Sequence, residues 1–341
     1  MTGTPLHAPQ VEAYLTRLWG APVTVVGLAR IPGGASRETW RFDAQVGDEV
    51  RPLILRRDPG GSLIDTESET EFRAYQSAFG VLPVPRAIAL ERDGAELERP
   101  FIVMERIDGG EVASPFTPEP YGAHRETLGE AFFTALGRLA AQDATGTPLA
   151  QHLPMPGADD AWRVQLDYWE GVIDDDEIEP QPIVRAAIRR LRGSPPPPAA
   201  KVGIVHGDYR TGNVMHDGKG GMLAMLDWEM AHLGDPIEDL GWALDPIWNH
   251  HDPDTVAGMT TREKAIGWWE AASGMRVDPL ALRWWSLFNA VKGRAIWTSS
   301  FKEFLDGGRV DPVLGISGWY VARRQDAIIA QQLARWSEVG A

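Results

Sequence analysis

Apolar and polar positions follow two regimes along the chain. In residues 11–19, Val11, Leu15 and Leu18 recur at helical spacing, which predicts a short helix. The stretch VTVVGLARIPGGASRETWRFDA predicts strand, Gly-containing turn and strand, with Val23, Val25 and Leu28 before the turn and Trp40 and Phe42 after it. RPLILRRD reads as a third strand. Residues 67–79 predict a helix with Phe72 and Tyr75 on one face, and Pro83 and Pro85 lie beyond its end. Residues 87–90 and 101–106 are two more strands around the polar turn ERDGAELER. Residues 1–106 therefore read β-β-β-α-β-β, and Gly109–Gly110 follow where a hinge fits.

Beyond that point the pattern is mostly helical. Residues 126–141 and 162–172 carry apolar positions at helical spacing, and the acidic run DDDEIEP between them and the next helix reads as a solvated loop or a helix start. The prolines at 195–198 predict a stiff, extended connector. Residues 201–236 read as strand, loop, strand, turn, strand, loop. Asp235–Pro236 then resembles an N-cap with Pro at the first helical position, opening a helix through Ala243. The remainder is Trp-rich helix, and no internal repeat is visible.

A length of 341 residues suggests two domains or lobes, and 43% hydrophobic with 24% charged residues is ordinary for a globular protein. The net charge of -15 argues against a nucleic-acid or anionic-membrane partner, since both need basic surface. The absence of cysteine removes disulfides, thiolate metal sites and a Cys nucleophile. MTGTPLHAPQ lacks the basic-then-apolar pattern of a secretory signal and no apolar run approaches a membrane span, so a cytoplasmic protein is expected. Fourteen Trp residues, most after Asp160, give the second part large aromatic resources for a core, with one or two left to line a pocket.

The segment His206-Gly207-Asp208-Tyr209-Arg210-Thr211-Gly212-Asn213 carries the candidate chemistry. An apolar strand follows and ends in Asp227-Trp228-Glu229. Asp208 can accept a hydroxyl proton, and Arg210 can meet negative charge on a transferred group. Asn213 and Asp227 offer the hard oxygen ligands that suit Mg²⁺ or Mn²⁺. Together these are the groups phosphoryl transfer needs, because that reaction depends on positioning and charge neutralisation.

With that loop and the D-W-E triplet, the chain resembles the aminoglycoside phosphotransferase family. Its H-G-D-x-R-x-G-N loop is most similar to the bacterial phosphotransferase branch that includes acyl-CoA-dehydrogenase-associated kinase domains. The resemblance covers roughly residues 20 to 300. It implies an α+β, bilobal protein-kinase-like fold. A small antiparallel-sheet N-lobe with one main helix would span residues 1–106 and bind ATP or GTP. A larger, mostly helical C-lobe over 107–341 would hold the catalytic loop and the acceptor, a hydroxylated small molecule.

The resemblance makes Asp208 the catalytic Asp, with Asn213 and Asp227 as metal ligands. Arg210 stands where many kinases contact the transferred phosphate. PGGASRETW resembles the nucleotide-covering loop, with Gly33, Gly34 and Ser36 near phosphate. Arg56 replaces the usual strand lysine, and Glu71, with Glu69 second, is its expected partner. FIVMERIDGG resembles the hinge, where backbone groups of Glu105 and Ile107 would hold the base. His206 is expected to brace the loop around Asp227, and Asp239 to tie the catalytic loop together. His250–His251–Asp252 reads as a polar loop rather than a metal site. The competing reading is a non-catalytic nucleotide-binding module, supported by Arg56 and the unusual Gly loop. A protein kinase is disfavoured by the short span between Asp227 and Asp235.

Overall fold

In the computed structural model, which describes residues 5–31, 37–58, 68–114, 117–307 and 311–338, the first part of the chain builds one antiparallel sheet. Its strands are β1 (Thr24–Ile31), β2 (Glu38–Val46), β3 (Glu49–Arg57), β4 (Ala87–Glu91) and β5 (Phe101–Glu105), in the order β1-β2-β3-β5-β4. Helix α1 (Ala8–Trp19) precedes the sheet, and α2 (Ser68–Ala78) connects β3 to β4. Alternation along the strands sorts their side chains onto two faces. Phe42, Ala44, Leu53, Leu55, Phe101 and Val103 pack with Val11, Tyr14 and Leu15 of α1. The intervening residues Ile54, Ile102 and Met104 pack instead with Phe72 and Tyr75 of α2. Arg56 shares their parity, and the register pairs it with Thr39 and Ile102. Period-2 geometry therefore aims Arg56 at α2 rather than at α1.

The rest of the chain is helical around two small sheets. Strand β6 (Glu111–Val112) pairs with β8 (Val214–His216), which pairs with β9 (Met222–Met225). Strand β7 (Gly203–Val205) pairs with β10 (His232–Gly234). The helices are α3 (Arg125–Ala141), α4 (Pro148–His152), α5 (Ala161–Asp176), α6 (Pro182–Gly193), α7 (Ile237–Ala243), α8 (Arg262–Ser273), α9 (Pro279–Leu305), α10 (Pro312–Ile316) and α11 (Ala322–Glu338). Helix α9 is the axis of this part. Its N-cap Asp278 accepts the Leu280 and Ala281 N–H groups, and Pro279 opens the first turn. Trp284, Trp285 and Phe288 of α9 are buried against one another, and Trp162 of α5 meets Trp284 edge-on. Most of the tryptophans are core residues for this reason. No helix among the described residues is long and apolar enough to cross a membrane.

One expectation is corrected. The acidic run begins inside α5, not in a loop or at a helix start: Asp174, Asp175 and Asp176 form its last turn. Carboxylates at a helix C-terminus oppose the helix dipole. Cations from neighbouring elements offset this: Arg185 pairs with Asp174 and Glu177, and Lys302 lies 2.9 Å from Asp176.

Candidate active site

The segment between β7 and β8 is a tightly bonded loop. Asp239 of α7 accepts the backbone N–H groups of His206 (2.6 Å) and Gly207 (2.9 Å). Tyr209 is buried and donates to the Phe132 carbonyl of α3 at 2.7 Å. His206 is buried, and burial pushes its imidazole down to about 4, so it is neutral near pH 7. Its Nδ1 accepts the Asp208 N–H, which leaves the proton on Nε2 to donate to the Leu226 carbonyl at 3.0 Å. His206 thus joins the Asp208 backbone to the residue preceding Asp227.

Gly207 is required by this shape. Its φ is +81°, and a Cβ there would run into the Met230 carbonyl. Gly207→Ala is therefore expected to lower unfolding stability by at least about 2 kcal/mol, from left-handed strain plus the clash. Chemical denaturation would check this. An unchanged midpoint would contradict the loop geometry.

Asp208 projects from the loop with both carboxylate oxygens engaged. Trp242 Nε1 donates to Oδ1 at 2.8 Å, Asn213 Nδ2 donates to Oδ2 at 2.8 Å, and Arg210 Nε reaches both oxygens at 3.1 and 3.0 Å. The Arg210 guanidinium lies 5.0 Å over the Trp248 ring. It fits there because residue 212 is glycine: a Cβ would collide with Arg210 Nη1. Asn213 uses its Nδ2 on Asp208, which leaves Oδ1 without a donor among the described residues. Its backbone carbonyl accepts the Leu226 N–H at 2.8 Å, so Asn213 and Asp227 approach from the two strands of one hairpin.

Asp227 has φ +67°, a left-handed conformation unusual for a side-chain-bearing residue, and its N–H donates to the Tyr75 hydroxyl of α2. Burial would push its carboxyl up, but Arg56 at 2.8 Å more than offsets this and holds it below the usual range. Arg56 also reaches Glu71 at 3.1 Å. Glu71 in turn takes Arg37 Nη1 at 2.5 Å, while Arg37 Nε reaches Asp58 at 2.8 Å and its Nη1 lies 3.6 Å from Glu229. A chain of alternating charge thus runs from the sheet through α2 to the segment after β9.

The sequence matches the model of the phosphotransferase enzyme family, APH, over residues 27–273, well over half of the chain. The chain belongs to the phosphotransferase enzyme family. Acyl-CoA dehydrogenase family member 10 of Mus musculus is 29% identical over 245 residues, covering 68% of this chain and 22% of that protein. The chain spans between 22% and 36% of the length of the first curated relatives it matches. A Ralstonia eutropha structure described as a candidate aminoglycoside phosphotransferase superposes with a TM-score of 0.75 at 21% identity, covering 97% of this chain and 99% of that one. An aminoglycoside phosphotransferase APH(4)-Ia variant, in ternary complex with ADP and hygromycin B, superposes with a TM-score of 0.58 at 20% identity, covering 94% and 98%. These likenesses establish the bilobal kinase-like fold.

Within this family member the structure brings Arg56, Glu71, Asp208, Arg210, Asn213 and Asp227 together where the sheet meets the helical part. Glu71, rather than Glu69, faces Arg56; Glu69 pairs with Arg73 and Arg92. At the end of β5, the Glu105 N–H is already bonded to the Arg86 carbonyl, whereas the Ile107 peptide makes no hydrogen bond among the described residues. So Ile107 can offer an N–H to a base, and Glu105 only its carbonyl. Gly33, Gly34 and Ser36 lie outside the described residues. His250 bonds to the Thr117 carbonyl and Thr211 Oγ1, and Asp252 pairs with Arg125, so that segment braces the 206–213 loop from outside.

Sequence reasoning missed Arg37, Trp242, Trp248, Glu238 and Lys292. Lys292 of α9 is 1% exposed. It donates to the Gly207 carbonyl and lies 3.0 Å from Glu238, which also meets His232 at 3.0 Å. The available signal was a lysine inside the mostly apolar run SLFNAVKGRAIW, since buried lysines are almost always paired. Trp242 and Trp248 carried no signal that separated them from the core tryptophans.

Proposed function

We propose that this chain transfers the γ-phosphoryl group of ATP or GTP to a hydroxyl of a small molecule, with Asp208 as the base. The observation that carries the reading is the Asp208 carboxylate, oriented by Trp242, Asn213 and Arg210, beside an Asn213 Oδ1 that has no donor among the described residues. Asn213 Oδ1 and the Asp227 carboxylate form an all-oxygen donor set that fits Mg²⁺ or Mn²⁺. Such a cation, when bound, would neutralise charge on the phosphate oxygens.

In the reaction the acceptor hydroxyl gives its proton to Asp208, its oxygen bonds to the γ-phosphorus, and the bond to the β–γ bridging oxygen breaks to release the diphosphate. Here both Asp208 oxygens are engaged, so one donor must leave before the carboxylate can meet a hydroxyl. Arg210 is that donor. Its side chain is 24% exposed, whereas Trp242 and Asn213 are buried. Turning its guanidinium from Asp208 toward the transferred phosphate would free the base and place positive charge on the phosphoryl group at once. Arg56 would contact the nucleotide phosphates from the sheet, held by Glu71, and Ile107 and Glu105 would hold the base through their backbone. Gly33, Gly34 and Ser36 would cover the phosphates.

The Arg56–Asp227 pair also favours a second reading, a nucleotide-binding module without turnover, because the guanidinium occupies an oxygen that a cation would need. Calorimetric titration with ADP and GDP, with and without Mg²⁺, separates the two. The enzyme reading expects Mg²⁺ to strengthen binding and Asp227→Asn to abolish that dependence. Equal affinity in EDTA favours the module. No binding of either nucleotide overturns both.

A further inference from the structure

A cavity of about 620 Å³ lies between α8, α9 and α11, beside the segment Leu244–Asp245–Pro246. Its lining contains none of Asp208, Arg210, Asn213 or Asp227. The volume falls in the range of small-molecule sites. Leu244, Pro246, Ile266, Leu282, Ile328 and Trp336 supply an apolar body.

Its charged lining is three arginines and two carboxylates, Asp245 and Glu270. Arg262, Arg283 and Arg335, from three different helices, all line the cavity, and none forms an ion pair with a carboxylate among the described residues. In a chain with fifteen more acidic than basic residues, three such arginines at one cavity are unexpected. Arg283 lies 4.5 Å over the Trp336 ring, and its Nε is buried without an acceptor. Partial burial holds the Arg262 guanidinium below its usual range; Glu263 opposes this, and the neighbouring charge of Arg335 adds a smaller push in the same direction as burial. The acidic groups facing the cavity are already engaged. Glu270 pairs with Arg276 at 2.7 Å and accepts the Val277 N–H at 2.9 Å. Asp245 is buried, accepts the Ile247 N–H and Gln325 Nε2, and is pushed up to about 7 by burial.

We propose that this cavity is a second ligand site, separate from the nucleotide cleft, for a small organic anion whose carboxylate or phosphate meets Arg262, Arg283 and Arg335 while its apolar body packs against Leu282, Ile328 and Trp336. An anionic head would supply the acceptors these guanidiniums lack, and Arg–carboxylate or Arg–phosphate contacts are bidentate and charge-assisted. The inference does not depend on phosphoryl transfer, so the test is read as binding alone.

Decanoate, decyl phosphate and decylamine, each below its micellar concentration, are titrated into the full chain by calorimetry. At least one of the two anions is expected to bind saturably at one site, and which one identifies the head group. Decylamine is expected to bind at least about tenfold more weakly, and Arg283→Gln and Arg335→Gln are each expected to weaken the anion about tenfold, as loss of one charged hydrogen bond predicts. Arg335 is exposed on α11, so that variant should keep the parent melting temperature. No saturable binding of either anion, equal binding of decylamine, or parent-like affinity in folded Arg335→Gln would each overturn the proposal.

Discussion

Asp208→Ala is expected to lower acceptor phosphorylation by about 10²- to 10⁴-fold, the range for loss of a general base, while nucleotide affinity stays within a few-fold. The separation follows from the geometry. Asp208 bonds Trp242, Arg210 and Asn213, and it makes no contact with Arg56, Glu71 or the Ile107 peptide. Alanine is the better substitution than asparagine. An amide at position 208 would set its NH₂ against the Asn213 NH₂, and Asn213 could meet it only by turning over. That would offer nitrogen instead of Oδ1 to the cation and confuse loss of the base with loss of the metal ligand. Initial rates with a working acceptor, set beside calorimetry with ADP, check the prediction. A near-parental rate would remove Asp208 from the mechanism.

Lys292→Met is expected to cost about 3–5 kcal/mol, because it leaves Glu238 buried with one cation fewer. The Glu238 side chain is fully buried, and among the described residues Lys292 and His232 balance its charge. Burial pushes the Glu238 carboxyl up, and His232 and Lys292 reverse this and leave it at about 2. The sign of the pH dependence follows. A carboxyl with a depressed folded value binds protons more readily when unfolded. Its contribution, about 3 kcal/mol, is therefore present above pH 4.5 and lost as pH falls toward 2. The parent should lose this increment on acidification, and Lys292→Met should lose less of it. The double variant Lys292→Met/Glu238→Gln should recover part of the loss at neutral pH, since the unbalanced charge is gone. Denaturant unfolding at several pH values reads all three. Because Lys292 also holds the Gly207 carbonyl, kcat should fall in both variants even where stability recovers.

How much was legible in the sequence depended on how locally the information is stored. The candidate catalytic loop and its candidate metal ligands are packed into residues 206–213 and the hairpin that follows, so the motif and the resemblance it carries could be read from one short stretch. The Arg56–Glu71 pair was legible through the resemblance, which sets an arginine at the strand-lysine position and a glutamate on the helix that follows. Arg37 was not. It stands beside a Gly-rich segment with no period, and its partners Asp58, Glu71 and Glu229 lie far along the chain. The end of α5 was misread because three successive aspartates look like a solvated loop until Arg185 and Lys302, from other elements, are brought to them. The Trp242 indole looked like core and is mostly core, but one N–H reaches Asp208. The cavity lined by Arg262, Arg283 and Arg335 was invisible for a related reason: it exists only where three helices and a connecting segment meet.

The most direct measurement is phosphate transfer itself. The purified chain, with Mg²⁺ and γ-labelled ATP or GTP, is offered aminoglycosides, macrolides, choline, small sugars and short hydroxyacyl thioesters, with Asp208→Ala as the blank. The account predicts label on at least one acceptor hydroxyl, dependent on Mg²⁺ and absent in the blank. Label transfer that persists in Asp208→Ala, or nucleotide bound tightly with no transfer to any of these classes, would contradict it.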